Sequence, residues 1–432
     1  MPSARWNNDR LRILAAESRC GAADIERIAE ELERHGTLTF KTLNTGLFPA
    51  ATVAPTAGSG YENVWVRDNV FVAYAHFVRG QPRVAVNAAH SMMAFFEKSR
   101  PRFEAIAAGT VDPDDVKRRP HVRFDGESIA EIVDEKWSHA QNDALGYFVW
   151  LYSKLASTGT LTLDEHGART LGLFPRYFQA IRYWQDEDSG HWEEVRKRSA
   201  SSIGTVVAGL QELSTLVASE RKIFRAAGLG SRFETALANL VEEGLRALGT
   251  ILPSECVQPS PLQNRRYDAA LIFLVYPLGI VRGPMADLVL YDVDRFLRGD
   301  LGTRRYLGDS YWAPDYDRLP PEQRTRDYSD DIETRDALLQ RIGQEAQWCL
   351  FDPMLCALYG ERHRETGSAR DRERQVLHFH RALGQITADW RCPELYYLKD
   401  GEYIPNPHTP LLWTQANLAI ALESMTSNRR RC

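Results

Sequence analysis

Apolar residues recur at helical spacing from one end of the chain to the other. Ile25, Ile28, Ala29 and Leu32 begin the pattern, followed by Phe71, Tyr74, Ala75 and Val78, and by Ala88, Met92, Phe95 and Phe96. Steps of three and four put each set on one face of a helix, so each predicts a helix with one buried side. The spacing returns at Leu145, Phe148, Val149 and Tyr152, and again at Phe174, Tyr177, Phe178, Ile181 and Trp184. Ile203, Val206, Val207, Leu210, Leu213 and Val217 form the next set, then Phe233, Leu237, Leu240, Val241, Leu245 and Leu248. Helical stretches are also predicted from Asp268 to Val275, Met285 to Phe296, Arg341 to Tyr359, Gln375 to Trp390 and Leu412 to Met425. The sum is roughly a dozen helices. Strand signals are confined to short pieces such as the Lys399-Asp400-Gly401-Glu402 turn.

No linker rich in Pro, Gly or Ser divides the pattern, so a single domain over residues 1–432 is expected, with 1–20 as an N-terminal extension. That length exceeds the usual domain and favours a closed ring of helices over a simple bundle. Long irregular connections at Thr37–Tyr61, Ile106–Ile129, Cys256–Arg266 and Arg305–Ile332 join the helices. Connections of that length are usually functional.

One such connection holds the residues around which the chemistry is organised. Gly190-His191-Trp192-Glu193-Glu194 precedes Ser199-Ala200-Ser201-Ser202, a small-residue run that opens the Ile203 helix. Adjacent glutamates usually sit on a solvated helix surface. Here an aromatic precedes the pair, and the pair stands in the turn before a packed helix, with Ser199, Ser201 and Ser202 as candidate caps. Three further polar and aromatic loops lead into helices: Tyr61–Val70 with Trp65, Arg67 and Asp68, Trp137–Asp143, and Arg305–Trp312 with Asp309. Cys392-Pro393-Glu394-Leu395-Tyr396 is another. A closed ring would open all of them at one end.

Composition narrows the function classes. The chain carries a formal net charge of −5 with 44 % hydrophobic residues, too balanced to argue for a nucleic-acid or membrane-surface partner. Ten Trp and seventeen Tyr suit flat platforms for sugars as well as an ordinary core. The longest apolar run, Ala269 to Val281, is interrupted by Pro277 and Gly279 and is too short to span a membrane. The N-terminus lacks the apolar core of a signal peptide, and six scattered cysteines form no CxxC pair. A reduced, cytoplasmic protein is expected. His378 and His380 face different sides of a helix and offer no metal site. Lys117-Arg118-Arg119 reads as a solvated basic run, and no phosphate-binding loop or GxSxG is present.

Taken together, the motifs resemble a known family. Trp65-Val66-Arg67-Asp68-Asn69-Val70 resembles the Trp-x-Arg-Asp segment of glucoamylases, glycoside hydrolase family 15. Trp137-Ser138-His139-Ala140-Gln141-Asn142-Asp143 is similar to that family's Trp-Gly-x-x-Gln-x-Asp, with Ser138 and His139 replacing its common residues. Trp192-Glu193-Glu194 resembles the general-acid segment and Pro393-Glu394 the general-base segment. Thr45-Gly46-Leu47-Phe48-Pro49-Ala50 and Pro393-Glu394-Leu395-Tyr396 are closer still to the glucoamylase-like domain of phosphorylase kinase α and β subunits.

The resemblance implies an all-α (α/α)6 barrel with its site in the loops at one end. It implies an inverting hydrolase that releases glucose from the non-reducing end of an α-linked glucan or oligosaccharide. Glu193 would be the acid and Glu394 the base, with carboxyls about 6.5–9.5 Å apart. Arg67, Asp68 and Arg305 would hold the sugar, and Trp65, Trp137 and Trp192 would wall it. Asp143, Asp309 and Trp312 would complete the subsite. Glu194 would bind a hydroxyl and, as a neighbouring charge, help keep Glu193 protonated. No cofactor or metal is implied, and the oligomeric state is left open. The alternative is a catalytically silent module that binds α-glucan, as the kinase subunits imply.

Overall fold

The computed structural model describes residues 5–17, 20–52, 60–132, 138–260, 263–320, 328 and 331–427. Six helices form an inner ring: Val66–Val78, Asn142–Ser157, Ala200–Ser219, Leu271–Val275, Phe351–Thr366 and Leu412–Ser427. Each packs on the next, and the last closes on the first. Between successive inner helices the chain returns through an outer one: Ala22–Arg34, Pro82–Lys98, Leu173–Ala180, Ser231–Ile251, Gly283–Asp292 and Ala369–Gly384. The architecture is an (α/α)6 barrel.

The two rings differ because their residues do. Every residue from Asn142 to Ser153 is buried, so that helix meets protein on all sides. Ala22–Arg34 buries only Ile25, Ile28, Glu31 and Leu32, the stripe of a surface helix. Aromatic rings fill the barrel axis. Phe71 lies 5.2 Å from Tyr147, 5.3 Å from Phe273 and 4.9 Å from Trp413, and Phe273 lies 5.9 Å from Phe351. This plug closes the interior, so a ligand can reach the barrel only at its mouth, where the inner helices begin. The helix Asp9–Glu17 packs on Ala22–Arg34 and Ala369–Gly384, with Leu11 and Leu14 in the core.

Among the described residues, sheet structure is limited to one two-stranded and one three-stranded sheet. Val64–Trp65 pairs antiparallel with Arg123–Phe124. Gln347–Trp348 pairs with Leu395–Lys399, which turns through Asp400-Gly401 into Glu402–Pro405, the hairpin expected there. The helix expected from Arg341 begins only at Phe351. Gln347 and Trp348 are claimed by the strand opposite Leu395 and Tyr396, and Pro353 is tolerated only in a first turn. The helix expected over Gln375–Trp390 instead runs Ala369–Gly384, started by Ser368, which accepts from the Asp371 N–H at 3.2 Å. Arg119, expected in solvent, is fully buried on Asp186 through two bonds of 2.7 and 2.8 Å. Among the described residues no helix is long and apolar enough to cross a membrane.

Two glycines let neighbouring inner helices touch backbone to backbone. A Cβ on Gly146 would lie 2.8 Å from the Thr205 carbonyl and the Val206 nitrogen, atoms that no rotamer change can move. Elsewhere in a helix Gly→Ala stabilises by about 1 kcal/mol. Gly146→Ala should instead destabilise by about 1–3 kcal/mol, the cost of overpacking. Denaturant unfolding checks the sign, and a rise in the midpoint would remove the close contact.

Candidate active site

At the mouth of the barrel, the first turns of the inner helices and the loops before them bring four polar groups together. Arg67 stands in the first turn of Val66–Val78 and is only 4 % exposed. Its Nε donates to Asp143 at 2.7 Å, and Nη2 to Gln141 at 2.9 Å and the Gly190 carbonyl at 3.2 Å. Nη1 donates to Glu193 at 3.2 Å. The guanidinium plane thus fixes the turn that carries Glu193. That turn is tight: Gly190–Trp192 is a single 3-10 turn, and Glu193 follows it in the left-handed region at φ 61°.

Burial pushes the Glu193 carboxyl up to about 7, with Asp68 adding to the rise and Arg67 and Arg123 opposing it. Asp68 is likewise raised to about 7 by burial, against the pull of Arg67 and with a further push from Glu394. Asp68 therefore feels both glutamates, which places it between them electrostatically. Among the described residues no other side chain bonds to its carboxyl.

Glu394 precedes the strand Leu395–Lys399 and is anchored by its carbonyl, which accepts from the Cys349 N–H at 2.9 Å. Tyr61 Oη donates to its Oε1 at 2.6 Å. Asn406 Nδ2 donates to Oε2, and His408 Nδ1 lies 3.0 Å from the same oxygen. Tyr61 stacks on the His408 ring at 3.7 Å and lies 3.1 Å from Tyr311 Oη, so the shell around Glu394 is itself packed.

Glu194 faces the other way. It accepts from Arg265 Nη2 at 2.7 Å and from Tyr306 Oη, with Lys197 and Arg305 each 3.8 Å away. Burial would raise its carboxyl, but Arg265, Lys197 and Arg305 outweigh it and hold it at about 2. Its charge is thus balanced locally, and the carboxyl that raises Glu193 is Asp68, not Glu194.

Arg305 is gripped by Asp309 through bonds of 2.7 and 2.6 Å. Its guanidinium lies about 5 Å from the rings of Trp192, Trp348 and Tyr311. Trp192 Nε1 donates to Asp268 at 2.9 Å.

The structure thus brings Arg67, Asp68, Glu193 and Glu394 together and sets Trp192, Glu194 and Arg305 beside them. Trp65 flanks the group, with Arg123 over its ring at 5.1 Å. Asp143 and Asp309, expected against a ligand, have no exposed surface. Each is consumed in orienting an arginine. Trp312 packs on Tyr316, Tyr397 and His408, behind Glu394. Trp137 lies outside the described residues. Tyr61, Asn406, His408, Tyr311, Arg265, Asp268 and Trp348 were not expected. Tyr61 and Tyr311 stood in motifs already singled out, and Arg265 in one of the long connections.

Residues 34–222 match the family model of glycosyl hydrolases family 15. No curated protein matches the chain. Among solved structures, a wild-type glycosidase is 19 % identical, with 94 % of this chain and 99 % of that one covered at a TM-score of 0.68. A single-site glycosidase variant in complex with glucose is also 19 % identical, with 94 % and 98 % covered at 0.67. Glucoamylase from Saccharomycopsis fibuligera is 13 % identical, with 95 % and 97 % covered at 0.61. These likenesses are likenesses of fold.

Asp68 adds to the rise of Glu193 that burial begins. Asp68→Asn removes a negative neighbour and favours ionisation of Glu193, whose titration should move from about 7 toward the ordinary carboxylate range. Carboxyl-labelled NMR across pH 4–8 reads this directly. An unmoved titration would show that Asp68 is not its electrostatic neighbour.

Proposed function

We propose that this chain, glucoamylase-like in fold and in its match to glycosyl hydrolases family 15, is an inverting glycoside hydrolase that releases glucose from the non-reducing end of an α-linked substrate. We read the chain as one domain of that kind. The observation that carries the reading is the unlike pair of glutamates around Asp68. Glu193 is held near neutrality by burial, which suits a group that must hold a proton and then release it. Glu394 accepts from Tyr61 and Asn406, which fix its carboxyl against rotation.

Glycoside cleavage by inversion needs one carboxylic acid to protonate the leaving oxygen and one carboxylate to activate a water on the far face of the sugar. Glu193 fits the first task and Glu394 the second. As positive charge develops at the sugar carbon, the nearby Asp68 and Glu394 stabilise it. Arg67, oriented by Asp143, and Arg305, oriented by Asp309, present planar donors to hydroxyls. Asp68 supplies an acceptor. Trp65, Trp192 and Trp137 would wall the ring, with Trp312 supporting the shell of Glu394. Glu194 shapes the subsite mainly by fixing Arg265 and Tyr306.

Purified protein should release glucose from at least one of maltose, isomaltose, trehalose and a linear α-glucan. Proton NMR of early product should show β-glucose. Glu193→Gln keeps shape without an acidic proton and should lower kcat by about 100-fold or more with little change in binding, as should Glu394→Gln. α-Glucose as first product would reject inversion, and full activity in both variants would reject these roles. Binding without turnover across the panel would replace the hydrolase with a glucan-binding module.

A further inference from the structure

A cavity of about 310 Å³ lies away from Glu193 and Glu394, between two outer elements of the barrel. One wall is the Ala369–Gly384 helix, where Arg370, Arg374 and Arg381 stand at steps of four and seven and so share a face. The other wall carries Asp294 and Arg298, on the segment that follows the Gly283–Asp292 helix. That segment, Val293–Leu297, is a π-helical turn in which the Arg298 N–H bonds the Val293 carbonyl five residues back at 3.0 Å. Wide turns of this kind are rare and are found disproportionately at functional positions.

The charges around the cavity do not balance. Arg381 is pinned from below, donating from Nε to Asp352 at 2.7 Å and from Nη2 to the carbonyls of Gly299 and Gly302 at 3.0 and 3.2 Å. Arg298 and Arg374 share the single carboxylate of Asp294, Arg374 at 3.5 Å. Arg370 is exposed and has no ion-pair partner among the described residues. Its nearest acid along the cavity wall is Glu373, also exposed. Four arginines therefore line the cavity beside two carboxylates, Asp294 and Glu373. Arg370 is exposed and Arg298 and Arg374 are each about a third exposed, so all three present surface to an incoming anion.

We propose that this cavity binds a phosphate group, either free or carried by a small phosphorylated molecule. Guanidinium forks meet phosphate oxygens two at a time, a match that a carboxylate-poor arginine cluster offers and a lysine patch does not. Arg370 and Arg374 close on the group from one helix and Arg298 from the opposite turn, while Arg381 supplies a fixed positive floor. The volume is at the small end for a ligand pocket, with room for a phosphate and a hexose-sized remainder but not for a polymer. Asp294 stays engaged by Arg298. Glu373, exposed on the cavity wall, opposes an anion there.

Calorimetric titration of the full chain at low ionic strength, where surface charge is least screened, tests this with two probes, inorganic phosphate and a hexose monophosphate. Both should bind saturably. The double variant Arg370→Gln, Arg374→Gln should weaken binding by about tenfold or more, since two charge-assisted forks are lost while helix propensity is kept. Glu373→Gln should tighten binding, a gain that misfolding cannot imitate. Tighter binding of the hexose monophosphate supports a phosphorylated small molecule as the occupant, and equal binding supports free phosphate. No saturable heat with either probe, or an affinity unmoved by the double variant, overturns the proposal. The outcome is independent of the hydrolase reading, because none of these residues belongs to that site.

Discussion

A buried guanidinium holds the mouth of the barrel in register. Taking an arginine out of water costs several kcal/mol unless its donors are met. Arg67 meets that demand with groups from two other places: Asp143 and Gln141 at the head of one inner helix, and Gly190 and Glu193 on the turn before another. The ring can close in only a few ways that satisfy all of them. The same bonds set the chemistry. Asp143, fully buried and ionised by Arg67, absorbs much of the guanidinium's field. What is left does not overcome the burial of Glu193, and that carboxyl stays near 7. With Arg67 unpaired, its field would act on Glu193 alone and drive it down.

Two neighbours in sequence thus acquire opposite characters. Glu193 and Glu194 differ by one backbone step, yet one is raised to about 7 and the other lowered to about 2. The left-handed turn at Glu193 is what separates them, sending one side chain toward Arg67 and Asp68 and the other toward Arg265, Lys197 and Arg305. The barrel supplies the common background. Its inner helices all begin at this end, and the partial positive charge of their N-termini favours the carboxylates gathered there.

The inner helices were legible because helical periodicity survives even where both faces are buried, as Leu145, Phe148, Val149 and Tyr152 illustrate. The loop motifs were legible because each joined charged residues to an aromatic, at a helix start for Arg67 and Asp143 and before a strand for Glu394. Pairings between distant loops were not. No spacing relates Tyr61 to Glu394, or Trp192 to Asp268, because ring closure and not the local chain brings them together. Burial was equally hidden. Asp143 and Asp309 were expected at a ligand from the family resemblance, whereas each is fully buried on an arginine, Arg67 and Arg305. Arg119 read as surface because a basic triplet usually is, and only the fold supplies the Asp186 that lets it be buried.

Glu193 also bears on whether the proposed site turns over or only binds. A non-glycine residue in the left-handed region costs about 1 kcal/mol or more, and glycine at that position would remove the cost. A turn needed only to shape a binding groove has no reason to keep a glutamate there. The side chain, though, reaches Arg67, and its largely buried carboxyl is raised. A binding-only pocket gains little from such a group, since a half-ionised carboxyl is a weaker hydroxyl partner than the fully ionised Glu194 beside it. Proton transfer at neutral pH, the task proposed for Glu193, is one that such an environment suits. The strained turn and the raised carboxyl are therefore one feature seen twice, and together they favour the hydrolase over the silent module.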